Sequence, residues 1–187
     1  MTRLRTAAIV TELMDQLHNA GSWTGETHIQ KATYLLEQLF AVPLEFEFTL
    51  YKHGPYSFRL RDELTAMRAD QLVTIDPRPP YGPSYVTAPA SEDLRTRFPK
   101  TLRQVRPLLI FIAEALGSKG VADLEQLSTA MYARVEDPNR NPDQLADRVR
   151  ELKPHISPAG AAAGVEAMLK LREEAAALMS TSQSLVS

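Results

Sequence analysis

Four histidines, His18, His28, His53 and His155, are scattered along the chain, and no two have the spacing that sets a pair of imidazoles on one metal ion. There is no cysteine, which removes disulfides, thiolate zinc sites, iron–sulfur clusters and thiol nucleophiles together. The sequence carries no Gly-x-Ser-x-Gly elbow, no dinucleotide glycine fingerprint and no calcium loop. Neighbouring carboxylates do occur, in Asp62-Glu63 and Glu173-Glu174, but adjacent residues of a helix point in different directions and do not form a catalytic pair. The expectation is a protein without a metal or cofactor, and not an enzyme.

Two groups of residues have the chemistry of binding instead. In the first, Tyr51, Lys52, His53, Gly54, Pro55, Tyr56 and Ser57 place aromatic, basic and turn residues where a strand meets a helix. Structurally this is a tight turn: Gly54 supplies an unusual backbone angle, Pro55 stiffens it and Ser57 caps the helix. Functionally, free amides at that helix start, beside Lys52 and His53, suit a phosphate or a partner's carboxylate. The second group is Arg95, Arg97, Lys100, Arg103 and Arg106, with no acid between Asp93 and Glu114. Lys100, Arg103 and Arg106 share one helix face, either solvated or offered to an acidic partner or a nucleic-acid backbone. Arg78 and Tyr81, at a hairpin tip, would extend that surface.

The elements that must position these groups follow from periodicity. Residues 2–20 carry Ala7, Val10, Leu13, Met14 and Leu17 at helical spacing, with Gly21 as the stop. A second helix, capped by Thr24, carries Ile29, Ala32, Leu35, Leu36, Leu39 and Phe40 and ends before Pro43. The period then becomes two: Leu44, Phe46, Phe48 and Leu50 alternate with polar residues, predicting a strand buried on one face and ending at residues 52–55. Ser57 opens a third helix through Leu64 and Met67, and strands at 71–75 and 84–87 flank a Pro-rich tip. Two helices, a strand, a helix and a hairpin describe a winged-helix-like α+β unit, although a standard one has a second helix before the hairpin.

The rest of the sequence reads as helix. Helices are predicted at 91–97, at 100–116 with a bend at Pro107, and at 121–135 with Leu124, Leu127, Met131 and Val135 inward. Asn141 opens a short helix, and Ser157 with Pro158 opens the last, striped with Ala161, Val165, Met168, Leu171, Ala175 and Leu178. That stripe either closes the protein's own core or is partly exposed, forming a dimer or receiving a partner. The organisation expected is a winged-helix-like unit over residues 1–90, a helical extension over 91–180 and a flexible tail over 181–187.

At 187 residues the chain is long enough to bury a core by packing alone. The longest apolar stretch, 107–113, falls far short of the roughly 20 residues that cross a bilayer. The first residues hold basic groups, but Glu12, Asp15 and Gln16 break any apolar run after them, so no secretion signal and a cytoplasmic location are expected. A net charge of −2 leaves nucleic-acid contact to a local patch.

Thr27 to Lys31, then Tyr34-Leu35-Leu36, residues 51–57 and Leu64 resemble the YwgA-like family and, more distantly, the Panacea antitoxin domain. The likeness extends to residues 123–130 and 152–155. It implies a small winged-helix-like core with added helices, of bacterial, archaeal or mobile-element origin, with no established enzymatic activity. Some Panacea members neutralise toxins by direct binding, and the expectation here is a non-catalytic protein-binding module, antitoxin-like or an adaptor in a bacterial defence or regulatory system, with a toxin or a defence or regulatory component as partner. A winged-helix DNA-binding regulator is the alternative, weakened because Asp62, Glu63 and Asp70 accompany Arg59, Arg61 and Arg68 on the third helix.

Overall fold

The computed structural model describes residues 1–80 and 82–184, with side chains described as far as Thr181. In chain order the elements are α1 (Arg3–Asn19), α2 (Glu26–Phe40), β1 (Thr49–Tyr51), β2 (Gly54–Tyr56), α3 (Phe58–Ala69), β3 (Val73–Asp76) and β4 (Ser84–Thr87). Then come α4 (Pro89–Thr96), α5 (Pro99–Leu116), α6 (Val121–Glu136), α7 (Pro142–Leu152) and α8 (Pro158–Ser184). The protein is α+β and mainly helical. Its strands form two separate antiparallel hairpins, β1–β2 and β3–β4, so among the described residues β1 does not join the later hairpin in a three-stranded sheet. None of the described helices is long and apolar enough to cross a membrane.

The chain divides into two compact units, Met1–Thr49 with Tyr56–Val121, and Leu50–Pro55 with Ala122–Ser187. The expected boundary at residue 90 is therefore displaced, because α4 and α5 pack on α1 and belong to the first unit. In that unit the predicted apolar faces of α1 and α2 are buried except for Leu39, which is half-buried, and Phe40 meets Phe111 of α5 edge to face at 5.6 Å. Gly21 ends α1 as expected: at φ +89°, its N–H donates to the His18 carbonyl while the Ser22 N–H donates to that of Leu17.

Three local expectations are corrected. Thr24 does not cap α2; the cap position is Gly25. Thr24 sits at φ +51° and is drawn to β4, its hydroxyl donating to the Tyr85 carbonyl at 2.6 Å and its carbonyl accepting the Tyr85 N–H at 3.0 Å. The segment 44–50 alternates in burial as read, with Leu44 and Phe46 buried and Phe48 and Leu50 half-buried, yet only residues from Thr49 on are strand. Ala41 and Glu45 adopt left-handed angles, and the Phe46 N–H is taken by the Glu37 carboxylate at 3.1 Å rather than by a neighbouring strand. Burial holds that Glu37 carboxyl above its usual range. Finally, Val135, expected inward, is exposed one residue from the end of α6.

In the second unit α8 packs along α7, and its stripe of Ala161, Val165, Met168, Leu171 and Ala175 is buried, with Leu178 half-buried. The stripe thus closes the chain's own core. Gly164 brings α8 onto α6, since a Cβ there would lie 2.7 Å from the Gln126 backbone carbon. Asn141 and Gln144 form a reciprocal capping box at the start of α7. Arg148 of α7 grips Glu136 of α6 through two hydrogen bonds of 2.8 and 3.1 Å, and this guanidinium holds the Glu136 carboxyl below its ordinary range. Helix α8 continues through residues 181–184, where a flexible tail was expected; residues 185–187 of that tail, and Tyr81, lie outside the described residues.

Candidate functional site

The segment 50–57 is a hairpin rather than a strand-to-helix turn. Lys52 and His53 form its tip, and Gly54 begins the returning strand at φ +86°. A positive φ was expected of this glycine, and the structure adds a second reason for it. A Cβ at Gly54 would lie 3.0 Å from the Ser128 hydroxyl and 3.1 Å from that of Thr129, so the backbone is seated directly on α6.

Around this contact the second unit gathers charge that no single stretch of sequence displays. The Lys153 ammonium donates to the Tyr51 carbonyl and to the Lys52 carbonyl at 2.9 Å, and it forms an ion pair with Glu125 Oε1 at 3.5 Å. His155 Nε2 lies 3.2 Å from the same oxygen, and His53 Nδ1 lies 3.8 Å from Glu125 Oε2. Lys153 and Glu125 are both buried, whereas the two imidazoles are open to solvent. An ammonium already fills the position a cation would take, and no cluster of three metal-ligating side chains occurs among the described residues. The arrangement clamps the hairpin tip to α6: a buried carboxylate offsets the charge of a buried ammonium, and the ammonium holds two backbone carbonyls of the turn.

At the start of α3 the cap residue is held on three sides. The Ser57 N–H donates to Gln30 Oε1 at 2.8 Å, Gln30 Nε2 returns a bond to the Ser57 carbonyl at 2.9 Å, and Ser57 Oγ accepts the Leu60 N–H at 3.2 Å. Ser57 is fully buried. The expected cap is therefore present, and the Gln30 side chain takes the N–H of the cap residue itself. Tyr56 donates to Glu26 at 2.6 Å, and burial followed by this bond raises its phenol above its usual range. Pro55 is buried on β2 and presents no surface.

The basic row is also partly spent. Arg95 pairs with Asp15 and, at 3.5 Å, with Glu12, while Arg106 reaches Glu12 at 2.7 Å. Both acids come from α1, which the sequence separates from α4 and α5 by some eighty residues or more. Arg97, Lys100 and Arg103 are exposed and make no ion pair among the described residues. Arg78 pairs with Asp76 at 3.6 Å.

A surface not anticipated from sequence lies between α7 and α8. Ala146, Ala162, Val165 and Leu169 floor a groove of about 430 Å³, and Asp143, Glu166 and Glu173 rim it with Lys170 as the one cation. Lys170 itself leans 3.9 Å toward Glu174. The signal was present in the sequence only as Glu166 and Glu173 flanking Leu169 and Lys170, indistinguishable there from a solvated helix face. Compared with models of known protein families and with curated proteins, the chain matches none.

Proposed function

We propose that this protein is a non-catalytic protein-binding module, antitoxin-like or an adaptor in a bacterial defence or regulatory system. The observation that carries the proposal is the acid-rimmed apolar groove between α7 and α8. An apolar floor flanked by three carboxylates and one ammonium is complementary to an amphipathic helix that sets small apolar residues inward and Lys or Arg outward. The ion pairs that consume Arg95 and Arg106 support ranking this above nucleic-acid binding. On α3, Arg61 pairs with Asp62 at 2.9 Å, and the acids Glu63 and Asp70, paired with Arg3 at 3.0 and 2.7 Å, are interspersed among the arginines.

The test places a photo-crosslinking residue at position 169 and, as a control, at exposed Arg172, in the full chain expressed in its host. Captured partners should appear at 169 and not at 172, should be joined through a basic apolar segment, and should be lost when Glu166 and Glu173 are both changed to Lys. Equal capture at the two positions, or capture indifferent to the charge reversal, removes the groove as the binding surface. Salt-dependent binding of duplex DNA that falls on changing Arg97, Lys100 and Arg103 to Ala would favour the regulator instead.

A further inference from the structure

We infer that the outer edge of β3, in the first unit, accepts an extended peptide carrying an acidic side chain, which adds as a third strand beside the β3–β4 hairpin. This surface is independent of the α7–α8 groove. The register pairs Val73 with Thr87, Thr74 with Val86, Ile75 with Tyr85 and Asp76 with Ser84. The Ala88 N–H donates to the Leu72 carbonyl, so by antiparallel alternation pairs 74/86 and 76/84 exchange the ladder bonds. Tyr85 on β4 and Ile75 on β3 then turn their N–H and C=O outward. On the β4 side this is visible directly, because Thr24 fills that edge with bonds to both groups of Tyr85. On the β3 side the Ile75 N–H and C=O have no protein partner among the described residues, and the Ile75 side chain is 37% exposed.

Beside this edge lies a groove of about 500 Å³, walled by Thr65, Arg68 and Ala69 of α3 and by Val73, Thr74 and Ile75 of β3. A strand laid there would bond the open main chain of Ile75 and run against α3. The charge decides what kind of strand. Arg68 makes no ion pair among the described residues, whereas the nearby acids are occupied, Asp70 by Arg3 and Asp76 by Arg78. A second copy of β3 would therefore bring no free carboxylate to Arg68, and a peptide with Glu or Asp would.

The probe is the blocked peptide acetyl-Thr-Val-Glu-Val-Thr-amide, titrated into the isotope-labelled full chain with backbone amide shifts read by NMR. Saturable shifts are expected at Ile75 and its neighbours. Changing Glu to Lys in the peptide should weaken binding roughly threefold, and Arg68→Glu should reverse that preference. Ile75→Pro removes the outward N–H together with the isoleucine side chain and should weaken binding roughly tenfold with the hairpin intact, as edge prolines are tolerated, whereas Ile75→Val, which keeps the N–H, should bind within about twofold of the parent. A peptide N-methylated at its three central residues, which leaves the protein untouched, should not bind. Absence of a saturable shift at Ile75, equal binding of the N-methylated peptide, or shifts at Ile75 that follow protein concentration alone, as in self-pairing, each overturn the inference.

Discussion

Gly54→Ala should destabilise the protein by about 2–3 kcal/mol, from two separable causes. A left-handed φ of +86° costs an L-residue about 1–2 kcal/mol. The new methyl, 3.0 and 3.1 Å from the Ser128 and Thr129 hydroxyls, adds about 1 kcal/mol of overpacking on α6. For a chain of this size that corresponds to a fall in Tm of about 4–12 °C, followed by far-UV circular dichroism. Ser128→Ala takes away the nearer of the two hydroxyls, and by itself it loses only a long bond of 3.4 Å to the Glu125 carbonyl. In the double variant it should return roughly 0.5–1 kcal/mol of the loss, while the backbone part persists. A Gly54→Ala protein that melts within about 2 °C of the parent would refute the seating of the hairpin on α6. Additive effects of the two substitutions would leave backbone strain as the sole cause.

Lys153→Met should cost about 3 kcal/mol, read in urea unfolding, because it strands the buried Glu125 carboxylate and frees the carbonyls of Tyr51 and Lys52; a neutral outcome would contradict the clamp. His28 accepts the Trp23 indole N–H on Nδ1 at 3.3 Å and donates from Nε2 to the Lys119 carbonyl at 2.9 Å, so it is neutral, and burial lowers its pKa from 6.5. Its stabilisation is complete above that unfolded value and is lost as pH falls through the lower folded value. The single tryptophan reports this as fluorescence quenching with a midpoint below 6.5, absent in His28→Gln. Phe46→Ala should cost about 3 kcal/mol or more and Phe48→Ala clearly less, since Phe46 is buried and Phe48 half-buried; equal losses would contradict the observed register. Val165→Asp with Met168→Asp should abolish cooperative unfolding, and a folded double variant would move the α8 stripe out of the core.

What the sequence by itself determined was local. Amphipathic spacing located every helix to within a few residues, Asn141 and Ser57 announced their caps, and alternation of Leu44, Phe46, Phe48 and Leu50 gave the correct inward face. These signals are written within one or two turns of chain, where side-chain periodicity and backbone capping act directly. Tertiary structure decided whatever needed a distant partner. Alternation cannot say whether a ladder exists, and here Glu37 takes the Phe46 N–H that a neighbouring strand would have used. Arg95 and Arg106, in the row of cations after Asp93, looked unneutralised because their acids, Glu12 and Asp15, lie on α1. The Gly-Pro turn was legible as a turn, but Lys153 comes to its carbonyls from about a hundred residues away, and only folding puts Glu125 beneath that ammonium. Charge pairing, edge exposure and groove formation depend on which surfaces meet, and chain-distant contacts leave no periodic trace in the segments that make them.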